Sequence, residues 1–142
     1  MKQDQIFWVG QKAFIKKGDD VLILKDPTEG LDFPGGKIQE GEVDLAQSLQ
    51  REVSEETRLE IQVGAPFAVW QNSFPSNHKY AGKKVFLVAF FCDYISGDIQ
   101  LSDEHNKFVW VNKENYQEVN DGTQYFDILQ KYFMISESIN NK

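Results

Sequence analysis

The sequence predicts an α+β fold, an α/β/α sandwich with a mixed β-sheet, built as one domain over residues 1–142. Apolar and aromatic runs typical of strands lie on both sides of an acidic segment with helical periodicity. A second segment with helical spacing of apolar residues lies near the carboxyl end. The chain is long enough for a single hydrophobic core, which such a sandwich requires.

The first part of the chain predicts three strands. Ile6–Lys16 is rich in apolar and aromatic residues, and a Gly-Asp-Asp turn at 18–20 joins it to Val21–Leu24 in a hairpin. A turn-rich loop over residues 25–30 then leads to a short strand, Leu31–Phe33. The last of these strands is followed by a Pro-Gly-Gly turn, which precedes the acidic segment.

The segment Leu45–Thr57 predicts the best specified helix of the chain. Asp44 is a favourable N-cap residue, and Gln47 three residues later resembles a capping box. The apolar stripe that should pack on the sheet consists of Leu45, Ala46, Leu49 and Val53.

The second half predicts further strands and a closing helix. Glu60–Asn72 is strand-like, and a polar loop follows it over residues 73–82. Val85–Ile95 is too continuously apolar for an edge strand, so we expect it in the middle of the sheet. Phe108–Val111 is a further short strand, and Thr123 is expected to begin a last helix before a frayed tail at 140–142.

The acidic helix carries a candidate metal site. Residues three or four apart share a helix face, so Glu52, Glu55 and Glu56 fall within one arc. Glu56 projects along the apolar stripe, where an unpaired carboxylate is unfavourable. Charged oxygen ligands suit Mg²⁺ or Mn²⁺ better than Zn²⁺, and we interpret the arc as a divalent-metal site for phosphate chemistry. The alternative is a solvated acidic face, paired in part by Arg51 and Glu55.

The stretch Phe33–Leu59 resembles the Nudix box, G-x5-E-x7-R-E-U-x-E-E-x-G-U, where U is a bulky aliphatic residue. Gly36 and Glu42 match its first two fixed positions. The run Arg51–Glu56 matches R-E-U-x-E-E throughout, and the final U is Leu59. The resemblance implies the α/β/α sandwich of that family, with a loop–helix–loop catalytic motif.

Two positions depart from the box. Eight residues rather than seven separate Glu42 from Arg51, and the extra residue is expected in the loop before Leu45, since an insertion inside the helix would rotate the glutamates. This leaves the role of Glu42 open. Arg58 stands where the box has glycine, a residue that takes the left-handed conformation without strain.

The resemblance implies a Mg²⁺-dependent hydrolase, with Mn²⁺ as an alternative, that cleaves a diphosphate linkage in a nucleoside diphosphate derivative. The implied metal ligands are the backbone carbonyl of Gly36 and the side chains of Glu52, Glu55 and Glu56. The implied catalytic residues are Glu52, Glu55, Arg51 and Glu104. Glu52 acts as ligand or general base, Arg51 holds the glutamates, and Glu104 lies on a later loop as an extra ligand or base. The histidines His78 and His105 are expected to be structural or exposed.

Substrate contacts are less well marked in the sequence. A nucleobase needs an aromatic face for stacking, and the possible faces are Trp8, Phe33, Phe74 and Tyr80. The candidate substrate-binding residues are Lys37, Trp8 and Phe74. Nucleoside triphosphates or modified nucleotides are the first expectation. ADP-ribose or another nucleotide sugar is the second, because Pro75 lies about where some ADP-ribose-cleaving relatives carry a proline. A non-catalytic, nucleotide-sensing domain is a third hypothesis, although such domains tend to lose the glutamates retained here.

Composition limits the partners. A net charge of −7 opposes binding to nucleic acid polymers but not to a small nucleotide, since bound metal supplies positive charge locally. The absence of a long apolar run or a signal-peptide pattern favours a cytoplasmic protein without a membrane partner. The single cysteine, Cys92, lies in an apolar run and is expected to be a buried thiol. The sequence leaves monomer and homodimer open.

Overall fold

A seven-stranded mixed β-sheet forms the middle layer of the fold. A computed structural model describes residues 2–28, 30–74 and 76–140, with only the backbone of residues 139 and 140. Pro75 and residues 141–142 of the expected tail therefore lie outside the described residues. In chain order the elements are β1 (Trp8–Lys17), β2 (Asp20–Asp26), β3 (Gly30–Asp32), β4 (Gly35–Lys37), α1 (Leu45–Thr57), β5 (Glu60–Ser73), β6 (Lys84–Ser96), β7 (Lys107–Val111), a 3₁₀ turn (Tyr116–Val119) and α2 (Gln124–Asn140).

The strand order is β3-β2-β1-β6-β5, while β4 pairs with β1 and β7 pairs with β2. Strands β1 and β6 run parallel, with Trp8 opposite Val85, and the other pairs are antiparallel. Strand β6 has a neighbour on each side, β1 and β5, which confirms the prediction that its apolar run is central. The predicted α+β fold with a mixed sheet is confirmed.

The two helices pack on opposite faces of the sheet. Along β1, Phe14 belongs to a buried cluster with α2 residues such as Leu129. Its neighbour Ala13 belongs to a second buried cluster, which contains Leu49 and Val53 of α1. Successive strand residues point to opposite faces, so this alternation places one helix on each face. Among the described residues no helix is long and apolar enough to cross a membrane.

Helix α1 has the predicted bounds. Asp44 caps it, because its Oδ1 accepts a hydrogen bond from the Gln47 N–H at 3.1 Å. The predicted apolar stripe is half wrong, since Leu45 and Ala46 are exposed and belong to neither buried cluster. The buried face of the helix extends instead toward its carboxyl end, where the polar residues Glu56 and Thr57 are buried.

Strand β4 and the 3₁₀ turn were not anticipated by the sequence. Strand β4 pairs antiparallel with β1, with Gly35 opposite Lys12 and Gly36 opposite Gln11. Gly35 has φ of +140°, and a Cβ there would collide with the carbonyl oxygen of Gln11. Only glycine allows this approach of the two strands, which brings the Gly-Gly backbone against the end of α1. Cys92 is buried, as predicted.

Arg58 ends α1 in the left-handed conformation, with φ of 67°, and its N–H bonds the Ser54 carbonyl at 2.9 Å. A side chain with a Cβ is strained in that conformation. We therefore expect Arg58→Gly to raise the free energy of unfolding by about 1 kcal/mol in urea denaturation. Arg58→Ala, which keeps the Cβ, should bring no such gain. An equal gain in both variants would assign the effect to the arginine side chain instead of the backbone.

Candidate active site

Glu56 is a buried carboxylate at the inner face of α1, with 4% of its surface exposed. Its Oε1 accepts a hydrogen bond from the Gly35 N–H at 2.9 Å. Its Oε2 is buried and has no hydrogen-bond partner within the described parts of the chain. Burial raises the pKa of Glu56 to about 7, although the charge of Lys12 opposes that rise. One oxygen is thus anchored to the glycine loop, and the other is left available.

A buried network of charged side chains extends from Glu56. The His105 Nδ1 lies 3.5 Å from the Glu56 Oε2, and the His105 Nε2 lies 2.8 Å from the Asp32 Oδ2. The Lys12 Nζ lies 3.0 Å from the Asp32 Oδ1 and donates to the Phe33 carbonyl at 3.3 Å. His105 and Lys12 are both buried. His105 was expected to be structural or exposed. It is buried beside Glu56, so the exposed alternative is wrong.

Opposite charges in this network stabilise one another. Burial acts to raise the pKa of Asp32, but the Lys12 ammonium, His105 and the Phe33 N–H together outweigh burial and lower this pKa. Burial likewise acts to lower the pKa of Lys12 and of His105, but the Asp32 carboxylate, with the help of Glu56, contributes to a net rise of both pKa values. Asp32 is therefore held ionised between two donors.

Three side chains bring potential metal-binding atoms together: Glu56, Glu104 and His105. One ligand atom from each lies within 4.8 Å of the others. Glu104 is exposed, whereas Glu56 and His105 are buried. The sequence predicted Glu56 and Glu104 near one another, and the structure brings them together. Neither Glu52 nor Glu55 belongs to this group of three.

Glu52 lies against the glycine loop instead. A Cβ placed on Gly36 would be 2.6 Å from the Glu52 Oε2, so the missing side chain at Gly36 makes room for this carboxylate. Burial raises the pKa of Glu52, although Arg51 opposes the rise, and the nearby charge of Glu104 adds to it. The carboxylate is thus partly buried and next to the Gly36 backbone.

Arg51 joins three carboxylates on the outer side of the site. Its guanidinium lies 3.1 Å from the Glu42 carboxylate, 3.0 Å from that of Glu52 and 3.0 Å from that of Glu55. Glu42 also accepts a hydrogen bond from the Gln39 N–H at 2.7 Å. Despite the extra residue in the loop, Glu42 therefore reaches Arg51 and ties the loop to the helix. Arg51 holds Glu55 toward solvent, where 59% of that side chain is exposed.

An aromatic cluster of Trp8, Phe74 and Tyr80 lies at the far end of β4. The Trp8 ring packs edge-on against Phe74 at 6.3 Å and Tyr80 at 5.0 Å between centroids. The Lys37 Nζ lies 4.2 Å from the Trp8 centroid and 4.1 Å from that of Tyr80. Three of the predicted substrate contacts, Lys37, Trp8 and Phe74, are thus brought together. Phe33 is wrong as an available aromatic face, because it is fully buried and stacks on Phe14.

Sequence reasoning missed Lys12, Asp32 and His105 as members of one network. One signal was present: a lysine inside a strand of buried residues requires a carboxylate partner. The sequence does not say which carboxylate, because the pairing of β1 with β2 and of β2 with β3, and not local spacing, brings Asp32 to Lys12.

Comparisons with known proteins identify the family and the fold of the chain. The family model described as NUDIX domain matches residues 6–132. A MutT protein from Methanosarcina mazei Go1 is 25% identical, with 99% of this chain and 100% of that chain covered and a TM-score of 0.75. The E. coli ORF135 protein is 27% identical, with coverage of 80% and 79% and a TM-score of 0.64. An ADP-ribose pyrophosphatase from Streptococcus suis is 20% identical, with coverage of 76% and 75% and a TM-score of 0.58, and shares the fold. No relative is found among curated protein sequences.

The burial of Glu56 has a consequence for stability in the absence of metal. The folded protein keeps the Glu56 proton up to about pH 7, whereas the unfolded chain releases it near pH 4.5. The free energy of unfolding should therefore fall as pH rises between these values. Glu56→Gln removes this decline, and its amide N–H₂ faces the unpartnered His105 Nδ1.

We expect metal-free Glu56→Gln to be more stable than the natural chain at pH 8 by about 1–3 kcal/mol, and the difference to shrink toward pH 5. Denaturant unfolding at both pH values measures it. The matched control is Glu55→Gln on the exposed side of the same helix turn, which should shift little. A difference between Glu56→Gln and the natural chain that is the same at pH 5 and pH 8 would contradict the assignment of this penalty to Glu56.

Proposed function

This chain belongs to the NUDIX domain family and is a hydrolase, and we propose that it cleaves a diphosphate linkage in a nucleotide, with nucleoside triphosphates or modified nucleotides as the preferred class. The observation that carries the proposal is the Glu56 carboxylate, which is anchored by Gly35 through one oxygen and unpartnered at the other. That free oxygen lies 3.5 Å from the His105 Nδ1, and a carboxylate oxygen of Glu56 lies within 4.8 Å of ligand atoms of both Glu104 and His105. A buried anionic oxygen of this kind is stabilised by a cation.

The residues fit a divalent cation, and we propose Mg²⁺ or Mn²⁺ as the ion that supports hydrolysis. Glu56 and Glu104 would hold it through carboxylate oxygens, with the Gly36 carbonyl as a further oxygen donor from the glycine loop. Glu55 is exposed, and we propose that it binds the ion from the solvent side of the site. When bound, such an ion neutralises charge on phosphate oxygens and lowers the pKa of water.

The protein's own groups suit an in-line displacement at phosphorus. Gly36 carries no side chain, and this leaves room for the Glu52 carboxylate next to the backbone of β4. Water attacks one phosphorus atom, its proton passes to a carboxylate, and the bond to the bridging oxygen breaks. We propose Glu52 as that base, because burial raises its pKa toward the range useful at neutral pH. Glu104 is the second candidate for the base. Arg51 positions Glu52 and does not contact substrate.

The aromatic cluster is proposed to receive the nucleobase. Trp8 lies at the start of β1 and Lys37 at the end of β4, opposite Gly10 of β1. An aromatic ring with a lysine ammonium over it offers stacking to a base and charge to a phosphate. The Gly35–Lys37 strand connects this cluster with the glutamates, so that one extended nucleotide can reach both.

A hydrolysis panel tests the proposal. It contains canonical and oxidised nucleoside triphosphates, ADP-ribose, dinucleoside polyphosphates and NADH, each with Mg²⁺ or Mn²⁺. We expect metal-dependent release of nucleoside monophosphate and pyrophosphate from a triphosphate, a loss of kcat by at least about 100-fold in Glu52→Gln, and no metal-dependent turnover in Glu56→Gln. ADP-ribose as the best substrate would replace the proposed class. Nucleotide binding without turnover of any compound would favour the sensing function instead.

Stacking on Trp8 has its own test. We expect Trp8→Ala to raise KM for the best nucleotide by roughly 5- to 100-fold with little change in kcat, since one base–aromatic stack is worth about 1–3 kcal/mol. Phe7→Ala is the matched control, because Phe7 is the adjacent aromatic residue and packs on Phe86, away from the cluster. Equal effects of the two substitutions on KM would show that Trp8 acts through strand packing alone.

A further inference from the structure

We propose that His105 is itself a metal ligand through its Nδ1, and that this nitrogen makes the site bind first-row transition metals in preference to Mg²⁺. The inference rests on the proposed function in so far as it concerns the same metal site. It assigns a role to a residue for which the sequence predicts only a structural or exposed position.

Two buried polar atoms without partners face each other at this point. The His105 Nδ1 and the Glu56 Oε2 each lack a hydrogen bond among the described residues. They lie 3.5 Å apart, beyond the usual N–H···O distance of about 2.7–3.2 Å. Two ligands at right angles on one ion with bonds of about 2.1 Å lie roughly 3 Å apart. The pair therefore needs only a small approach to hold one ion.

The protonation of His105 is set from its other side. The Lys12 Nζ pairs with the Asp32 Oδ1 at 3.0 Å, and the Asp32 Oδ2 lies 2.8 Å from the His105 Nε2. A carboxylate at that distance accepts a hydrogen bond, so Nε2 carries the ring proton. In a neutral ring the lone pair is then on Nδ1 and points toward Glu56. Without a proton or a cation between them, that lone pair and the carboxylate oxygen repel each other.

This arrangement matches the way proteins prepare a histidine for a metal. A ligating histidine donates its other ring N–H to a carboxylate, which fixes the tautomer and orients the ring. Asp32 provides that carboxylate, and Lys12 provides the charge that keeps Asp32 ionised. The alternative is a protonated His105 whose Nδ1–H points toward Glu56. The neutral and the protonated ring predict opposite effects of a bound cation. A cation next to Glu56 would repel an imidazolium but would bind a neutral ring.

The nitrogen changes which metals the site prefers. Oxygen donors alone suit Mg²⁺, whereas an imidazole nitrogen favours first-row transition metals. Glu56 and Glu104 supply oxygens, and His105 adds one nitrogen. We expect Mn²⁺ to bind more tightly than Mg²⁺ and to depend on His105 to a greater extent.

Electron spin-echo envelope modulation of the unsubstituted protein loaded with Mn²⁺ tests ligation directly. A coordinated imidazole gives a ¹⁴N modulation, which changes to that of ¹⁵N when the protein is made with ¹⁵N-labelled histidine. The sequence contains two histidines, His78 and His105, so the source of the signal can be assigned completely. His105→Gln keeps a donor toward Asp32 but removes the nitrogen that faces Glu56, and His78→Gln is the matched control.

Calorimetric titration of the same proteins with Mn²⁺ and with Mg²⁺ provides the second readout. We expect a histidine nitrogen signal in the natural chain and in His78→Gln, its loss in His105→Gln, and a weakening of Mn²⁺ binding by about tenfold or more in that variant. Mg²⁺ binding should weaken less than Mn²⁺ binding.

Bound Mn²⁺ without a nitrogen signal in the natural chain would overturn the inference, and this result needs no variant to fold. If metal-dependent hydrolysis persists in that case, the proposed function stands with an all-oxygen site. If neither Mn²⁺ binding nor hydrolysis is found, both the inference and the proposed function fall.

Discussion

The burial of one carboxylate, that of Glu56, is the constraint on which the rest of the site depends. An ionised carboxylate removed from water is unfavourable by several kcal/mol unless donors or cations surround it. The fold supplies one donor, the Gly35 N–H, and one distant charge, Lys12. This leaves the second oxygen of Glu56 without a partner. The site is therefore less stable than it would be with a neutral residue, and a bound cation would remove that penalty.

The sheet accounts for how these groups meet. Strand β4 can approach β1 only because Gly35 has no side chain, and this approach carries the Gly35 N–H to the end of α1. Strand β1 also provides Lys12, and β3 provides Asp32. The turn before β7 provides His105, whose N–H bonds the Ser102 carbonyl. Four separate segments thus converge on one helix residue.

The sequence predicted what depends on local spacing. The bounds of α1 and its Asp44 cap follow from residues close together in sequence, and both were predicted correctly. The exposure of Leu45 was missed, because periodicity shows which residues share a face but not where the sheet stops covering it. The partnership of Asp32 with His105 was missed for a different reason. It joins residues far apart in sequence, and only the pairing of strands brings them within a hydrogen bond.

The central claim is that a divalent cation binds the unpartnered oxygen of Glu56. Anomalous diffraction at the manganese absorption edge, from crystals of the full chain grown with Mn²⁺ and no nucleotide, tests it most directly. The account predicts an anomalous peak within coordination distance of the Glu56 Oε2, on the side that faces Glu104 and His105. Peaks confined to the exposed carboxylate of Glu55, with none at Glu56, would contradict it.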